Sequence, residues 1–149
     1  MIRTCSTVDE PGWLELRQAL WPDAPRQEHI AEMSEFLEAP ERYGQFVCLD
    51  EEGSPVGFIE VSLRQDYVNG TESSPVGFIE GMYVRPESRR RGRGEELMSA
   101  AEAWAKRKGC KELASDAALD NTVSHRSHLA LGFEETERVV YFRKLLGKA

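Results

Sequence analysis

Apolar positions recur at helical spacing in two early stretches, and the pattern then switches to strand-like runs. Trp13, Leu16 and Leu20 follow at helical intervals, and Thr7 with Glu10 has capping-box spacing, which predicts a helix over residues 8 to 20. Pro22 and Pro25 must break it, because neither can continue a helix interior. Ile30, Met33 and Leu37 mark one face of a second helix that ends before Pro40. Gln45 to Asp50 reads as a short strand, Glu51-Glu52-Gly53 as a turn and Val56 to Leu63 as a second strand. Residues 64 to 70 form a loop with an Asn-Gly turn signal, and a third strand runs from Val76 to Val84. The heptapeptide Ser-Pro-Val-Gly-Phe-Ile-Glu occurs at 54–60 and again at 74–80. Two copies cannot build a solenoid, so they read as neighbouring strands with similar packing demands.

Beyond Pro86 a Gly-rich basic loop leads into a helix over residues 95 to 108, with Leu97, Met98, Ala101, Trp104 and Ala105 as its apolar stripe. Gly109 sits where a C-terminal cap belongs. Lys111 to Asp116 looks like a strand, Asn121 caps a further helix that Gly132 ends, and Arg138 to Arg143 reads as a last strand. Strand, loop, helix, strand, helix, strand predicts an α/β fold around a mixed sheet.

Composition narrows the class. A chain of 149 residues suits one domain over 1–149. With 40% hydrophobic and 30% charged residues it is too apolar for a disordered chain and too polar for a membrane protein. Met1 to Ser6 lacks the apolar core of a secretion signal. Cys5, Cys48 and Cys110, odd in number and far apart, give neither a disulfide framework nor a metal clip, so a reducing cytoplasm is the expected home. The net charge of −7 repels nucleic acid and favours cationic partners, yet Arg89, Arg90, Arg91 and Arg93 crowd together.

That cluster lies in the sharpest motif, Val84-Arg85-Pro86-Glu87-Ser88-Arg89-Arg90-Arg91-Gly92-Arg93-Gly94-Glu95. A strand ends, a basic loop turns and a helix begins. The first N–H groups of a helix lack internal acceptors, and the helix dipole makes that end partly positive. A pyrophosphate can sit there if side chains leave room, which Gly92 and Gly94 do, while the arginines add donors. No Gly-Lys-Ser/Thr follows, so this is not a Walker loop, and three glycines in dinucleotide spacing are missing. A solvated basic turn is the plain alternative.

The segment resembles the Arg/Gln-x-x-Gly-x-Gly/Ala loop of the GNAT N-acetyltransferases, with Arg89, Gly92 and Gly94 at the matching positions. Leu131-Gly132-Phe133-Glu134 resembles the signature after that superfamily's last helix. The segments Leu20-Trp21-Pro22, Asp66 to Gly70, Glu80 to Val84, Ala114-Ser115-Asp116 and Gly132 to Arg138 are similar to the aminoglycoside 6′-N-acetyltransferase branch, in order and almost end to end. The resemblance implies a GNAT fold, with a mixed, mostly antiparallel sheet flanked by helices. It implies acetyl-CoA as co-substrate, no metal, an aminoglycoside or other small polycationic amine as acceptor, and a homodimer. Neither nucleic acid nor membrane is an expected partner.

By the same resemblance the acetyl-CoA contacts fall to Met82, Tyr83 and Val84, to Arg89, Arg90, Arg91, Gly92, Arg93, Gly94 and Glu95, and to Asn121. The Met82 N–H would face the thioester oxygen. Acceptor contacts fall to Trp21, Tyr67, Glu80, Asp116 and Glu137. A carboxylate touching an ammonium favours its charged form, so this acidic set serves binding more than strong base catalysis. Glu80 or Asp116 could still pass a proton through a water. For any one acidic residue the plain alternative is solvated surface. Glu80 stands apart, because it follows Val76-Gly77-Phe78-Ile79 in a strand expected to be buried, where an idle carboxylate is costly. His128 stands where many of these enzymes have a tyrosine able to protonate the departing thiolate. His125 and His128 are three apart on a helix without a third ligand at diagnostic spacing. Cys48, between Val47 and Leu49, is expected to be buried and inert, so the amine attacks directly in a ternary complex. Alternatives from the same residues are a GNAT enzyme acting on polyamines or protein amines, a non-catalytic acyl-CoA sensor, and nucleic-acid binding through the arginines.

Overall fold

The computed structural model describes residues 1–147, so Lys148 and Ala149, the last two positions of the single-domain expectation, lie outside the described residues. The chain divides into two compact units, Met1–Asp116 and a second that begins at Ala117.

The first unit is built on a five-stranded sheet in the order β1 (Ile2–Thr4), β2 (Tyr43–Leu49), β3 (Pro55–Arg64), β4 (Val76–Val84) and β5 (Leu113–Ala114). The first four strands pair antiparallel, and β5 joins β4 in parallel. The mixed, mostly antiparallel sheet is the expected one. The two heptapeptides do become neighbours, since they supply most of β3 and the first part of β4. β1 carries only three residues, too few to show a hydrophobic period, and the sequence pattern missed it.

Helices cover both faces. On one lie α1 (Trp13–Leu20) and α2 (Arg26–Glu38), and Trp13, Leu16 and Met33 meet Val47, Leu49 and Phe58 in a fully buried cluster. On the other lies α3 (Arg93–Arg107), whose Leu97 and Trp104 pack against Gly57 and Gly44. α1 starts five residues later than its periodicity implies. The Thr7 hydroxyl accepts from the Asp9 N–H and the Thr7 carbonyl from the Glu10 N–H, both at 3.2 Å, so a turn consumes the expected capping groups. Gly12, in the left-handed region, then redirects the chain into the helix.

The second unit holds α4 (Thr122–Ala130). The Asn121 side chain caps it by accepting from the Ser124 N–H at 3.1 Å, as expected. Gly132, with φ +94°, ends it, and the Phe133 N–H donates back to the His128 carbonyl. The last strand expected over residues 138 to 143 is not formed. A strand needs a neighbour to pair its backbone, and the described residues of this unit supply only a helix; Val140, Tyr141 and Phe142 are exposed instead.

Candidate active site

Two features of β4 organise the first unit. β5 pairs with it only at Gly77 and Phe78, so from Ile79 to Val84 no strand among the described residues covers that edge. The register with β3 also slips at Glu60/Val61, leaving Glu80 as an extra residue between the Glu60–Gly81 and Val61–Ile79 pairs. Such a bulge re-aims side chains. Here the Glu80 carboxylate accepts from the Ser62 hydroxyl at 2.5 Å and from Arg64 at 3.0 Å.

The open edge runs straight into the basic loop. A single 3-10 turn, Pro86–Ser88, leads to Gly92, which begins α3 with φ +79° and no side-chain cap. The first N–H groups of that helix therefore have no intrahelical acceptor. A Cβ added at Gly92 or Gly94 would find nothing within 4 Å, so the space before these donors is open and fits a bulky anion. The arginines are not equivalent. Arg93 corrects the expectation that its side chain reaches a phosphate: it is turned inward, to Glu51 at 2.7 Å and Glu96 at 3.2 Å, and can serve the cradle only through its N–H. Arg89 spends its Nε on the Val84 carbonyl at 2.8 Å and lies over the Tyr83 ring. Arg90 and Arg91 are exposed, with Arg90 in the left-handed region at φ 64°.

On the other side of β4, the Trp21 ring lies against Gly81. A Cβ at Gly81 would overlap its indole, so only glycine admits the ring here. Trp21 is thereby placed beside the strand segment that carries Glu80 and Met82. A small cluster of Val68, Val76, Phe78 and Ala114 ties in the remaining candidates. Val68 anchors the loop whose neighbouring Tyr67 is 75% exposed, and Phe78 pairs with Ala114, two residues before Glu80 and Asp116 respectively. Tyr67, Glu80 and Asp116 thus leave one packed cluster, with Trp21 on the adjoining stretch of β4.

Asn121, His128 and Glu137 belong to the second unit. Asn121 acts as the helix cap described above. His128 Nδ1 donates to the Ser124 carbonyl at 2.7 Å, and its ring meets Phe133 edge-on at 5.3 Å. Glu137 is exposed, next to the Glu135–Arg138 ion pair.

Cys48 is buried, and burial pushes its thiol up, away from nucleophilic character. Burial does the same to Cys5 and Cys110; all three are free thiols. Among the described residues no group of three His, Cys, Asp or Glu side chains could hold a metal ion.

The chain matches the model of the "Acetyltransferase (GNAT) family" over residues 13–133. It belongs to the GNAT acetyltransferase family. The match spans parts of both compact units. The chain is similar to the aminoglycoside N(6′)-acetyltransferase type 1 of Serratia marcescens, with 49% identity over 99% of this chain and 100% of that protein. Among solved structures it is similar to the aminoglycoside 6′-N-acetyltransferase AAC(6′)-Ih of Acinetobacter baumannii, with a TM-score of 0.92, 45% identity and 99% of each chain covered. It also superposes on AAC(6′)-Iy, solved in complex with the bisubstrate analogue CoA-S-monomethyl-acetylneamine, with a TM-score of 0.90, 43% identity and 97% of each chain covered.

Sequence reasoning missed Arg17, Glu60 and His29, which are buried beneath Trp21, and Arg64, which faces Glu80. The repeat held a signal. Both heptapeptides end in glutamate, and Glu60 is the more buried of the two. Its partners, Trp13 at 2.9 Å and Arg17 at 2.5 and 2.6 Å, come from 47 and 43 residues away, beyond what any spacing rule reads.

Proposed function

We propose that this GNAT protein transfers the acetyl group of acetyl-CoA to the 6′-amino group of aminoglycosides, by direct attack of the amine in a ternary complex, and so confers resistance to them. The observation that carries the reading is the unpaired edge of β4 running into the glycine-lined start of α3. The choice of acceptor is supported by relatives of near-half identity over their whole length.

Bound acetyl-CoA supplies the activated acyl group. Met82, Tyr83 and Val84 would hold its pantetheine arm through backbone groups, as an added strand is held. Arg90, Arg91 and the unused donors of Arg89 would meet the phosphates, together with the N–H groups of Gly92, Arg93, Gly94 and Glu95. The Met82 N–H would stabilise charge growing on the carbonyl oxygen, and one such donor is worth about 3 kcal/mol. Asn121 would bond the pantetheine. His128, whose Nδ1 proton is held by the Ser124 carbonyl, would protonate the leaving thiolate from Nε2 as the imidazolium. Trp21 and Tyr67 would frame the sugar rings, while Glu80, Asp116 and Glu137 would bind ammonium groups, with Glu80 or Asp116 passing a proton through water.

The single domain over 1–149, a homodimer and a cytoplasmic location complete the proposal. The dimer is supported by the exposed apolar run at Val139 to Phe142, and the location by three free thiols. The test is thiol release from acetyl-CoA with acceptors that have or lack a 6′-amine, alongside polyamines and peptides. Release only with acceptors lacking that amine overturns the reading. In the same assay Asp116→Asn should raise the acceptor KM, and Gly92→Val should raise the acetyl-CoA KM, since it fills the open space and strains a positive φ.

A further inference from the structure

Beneath Trp21 lies a buried polar relay. Arg17 on α1, His29 on α2 and Glu60 on β3 are 1%, 1% and 2% exposed. Arg17 Nη1 donates to both Glu60 oxygens at 2.6 and 2.5 Å, and Arg17 Nη2 meets Glu32 at 3.4 Å. Its Nε donates to His29 Nδ1 at 3.2 Å. A guanidinium can only donate, so Nδ1 must accept and the imidazole proton must sit on Nε2. That nitrogen lies 3.2 Å from the Trp21 carbonyl, which can only accept. The direction of every hydrogen bond from Glu60 to Trp21 is therefore fixed.

The ring of Trp21 is held by the same pair. The His29 ring stacks with it at 6.4 Å and 25°, and the Arg17 guanidinium lies 4.9 Å from its centroid. α1 has ended at Leu20, so the Trp21 carbonyl continues no helix; besides His29 it accepts a turn bond from the Ala24 N–H at 3.3 Å, while the Trp21 N–H donates to the Arg17 carbonyl at 2.8 Å. Gly81 bounds one side of the indole, but an open cavity of about 420 Å³, lined also by Leu20, Pro22, Asp23 and Ala24, adjoins it. The indole also meets Phe58 edge-on at 5.9 Å and packs on the buried cluster that holds Leu16, so its movement is confined to the cavity side, where Arg17 and His29 line the same space.

We propose that His29 is a positioning residue for the acetyl acceptor: by accepting from Arg17 and donating to the Trp21 carbonyl, it locks Trp21 as a fixed wall beside Glu80 and Met82. The inference deepens the proposed function, on which it rests for the role of Trp21. Small displacements of a positioning wall are felt in the reaction, because the amine must meet the acyl carbon in a narrow range of geometries.

Three replacements separate this role from simple packing. His29→Phe keeps a ring but neither polar contact. His29→Asn can still accept from Arg17 but falls short of the Trp21 carbonyl. His29→Gln can reach both. Aminoglycoside KM should rise about tenfold in the Phe variant, the cost of a lost buried hydrogen bond, with the acetyl-CoA dissociation constant unchanged by calorimetry. The Asn variant should follow Phe, and the Gln variant should recover most of the loss. Acrylamide quenching gives a second reading. Of the three tryptophans, Trp13 is 0% and Trp104 6% exposed, so quenching reports Trp21 and should increase in the Phe and Asn variants but not in Gln. Should the Phe variant not fold, the Asn and Gln pair decides. Equal acceptor KM and equal quenching in Asn and Gln would overturn the proposal, as would a matching loss of acetyl-CoA affinity. If the wild type acetylates no aminoglycoside, the functional reading falls, while the quenching comparison still decides whether His29 fixes Trp21.

Discussion

Two glutamates at the ends of identical heptapeptides have opposite fates, and residue-scale energetics follow from their partners. Glu60 is sealed between Trp13 and Arg17. Burial pushes its carboxyl up, and the guanidinium pulls it down. Removing its charge would leave Arg17 buried without its main counter-ion, and breaking a buried pair costs about 3–5 kcal/mol. Glu60→Gln should therefore lower the unfolding free energy by that order in urea titrations, although no substrate group is placed near it. Glu80 is half-buried and shares its carboxylate with Ser62 and Arg64, whose guanidinium also lies 3.6 Å above the Phe78 ring. A resident cation already meets this carboxylate, so an ammonium bound there as proposed would have to compete with Arg64. Arg64→Gln should lower the acceptor KM severalfold in steady-state assays, leaving acetyl-CoA affinity in place; an unchanged or higher KM would show that Arg64 helps seat the acceptor. The carboxylate was legible because a charge inside an apolar strand stands out. The arginine was not, since its approach depends on a bulge.

At the scale of elements, the strands and helices with a full hydrophobic period were legible. β4 is found over the same residues that its pattern implied, and α3 begins at the glycine-flanked loop. What escaped were elements fixed by neighbours: the three-residue β1, the delayed start of α1 and the strand expected at 138 to 143. The loop between β3 and β4 shows how such anchoring works. Glu112 accepts from the Glu72 N–H at 2.9 Å and from the Ser73 hydroxyl, tying down the loop that carries Tyr67. These bonds, led by the one from Ser73, hold the Glu112 carboxyl below its ordinary value of 4.5. A depressed carboxylate stabilises the fold above its unfolded pKa, and that contribution disappears as pH falls through the folded one. Glu112→Gln should therefore melt below the wild type near neutral pH, with the gap closing as the solution is acidified beneath about pH 4. A gap that persists in acid would mean the anchor does not depend on charge.

For the whole molecule, charge and surface set the terms. The net −7 suits a polycationic acceptor, and an anion at the proposed cradle would have to overcome that field locally with Arg90, Arg91 and a helix terminus. No described helix is long and apolar enough to cross a membrane. The exposed run of Val140, Tyr141 and Phe142, continued by Leu145 and Leu146, is a surface that water alone covers poorly. If it joins two copies, Tyr141→Ser with Phe142→Ser should halve the mass seen by light scattering without loss of helical circular dichroism. An unchanged mass would place the contact elsewhere. None of this was readable from periodicity, which reports what a segment buries in its own chain and not what a second chain covers.

The bare flank of β4 carries a liability as well as an opportunity. An edge that no described strand pairs from Ile79 to Val84 is a template on which an extended peptide can grow, including another molecule's misplaced strand. A thioester lying along that edge would occupy the template and weight the native state by mass action. Supply of an acyl donor bound there as proposed would double as protection against clumping, and starvation of it should leave the polypeptide more prone to precipitate.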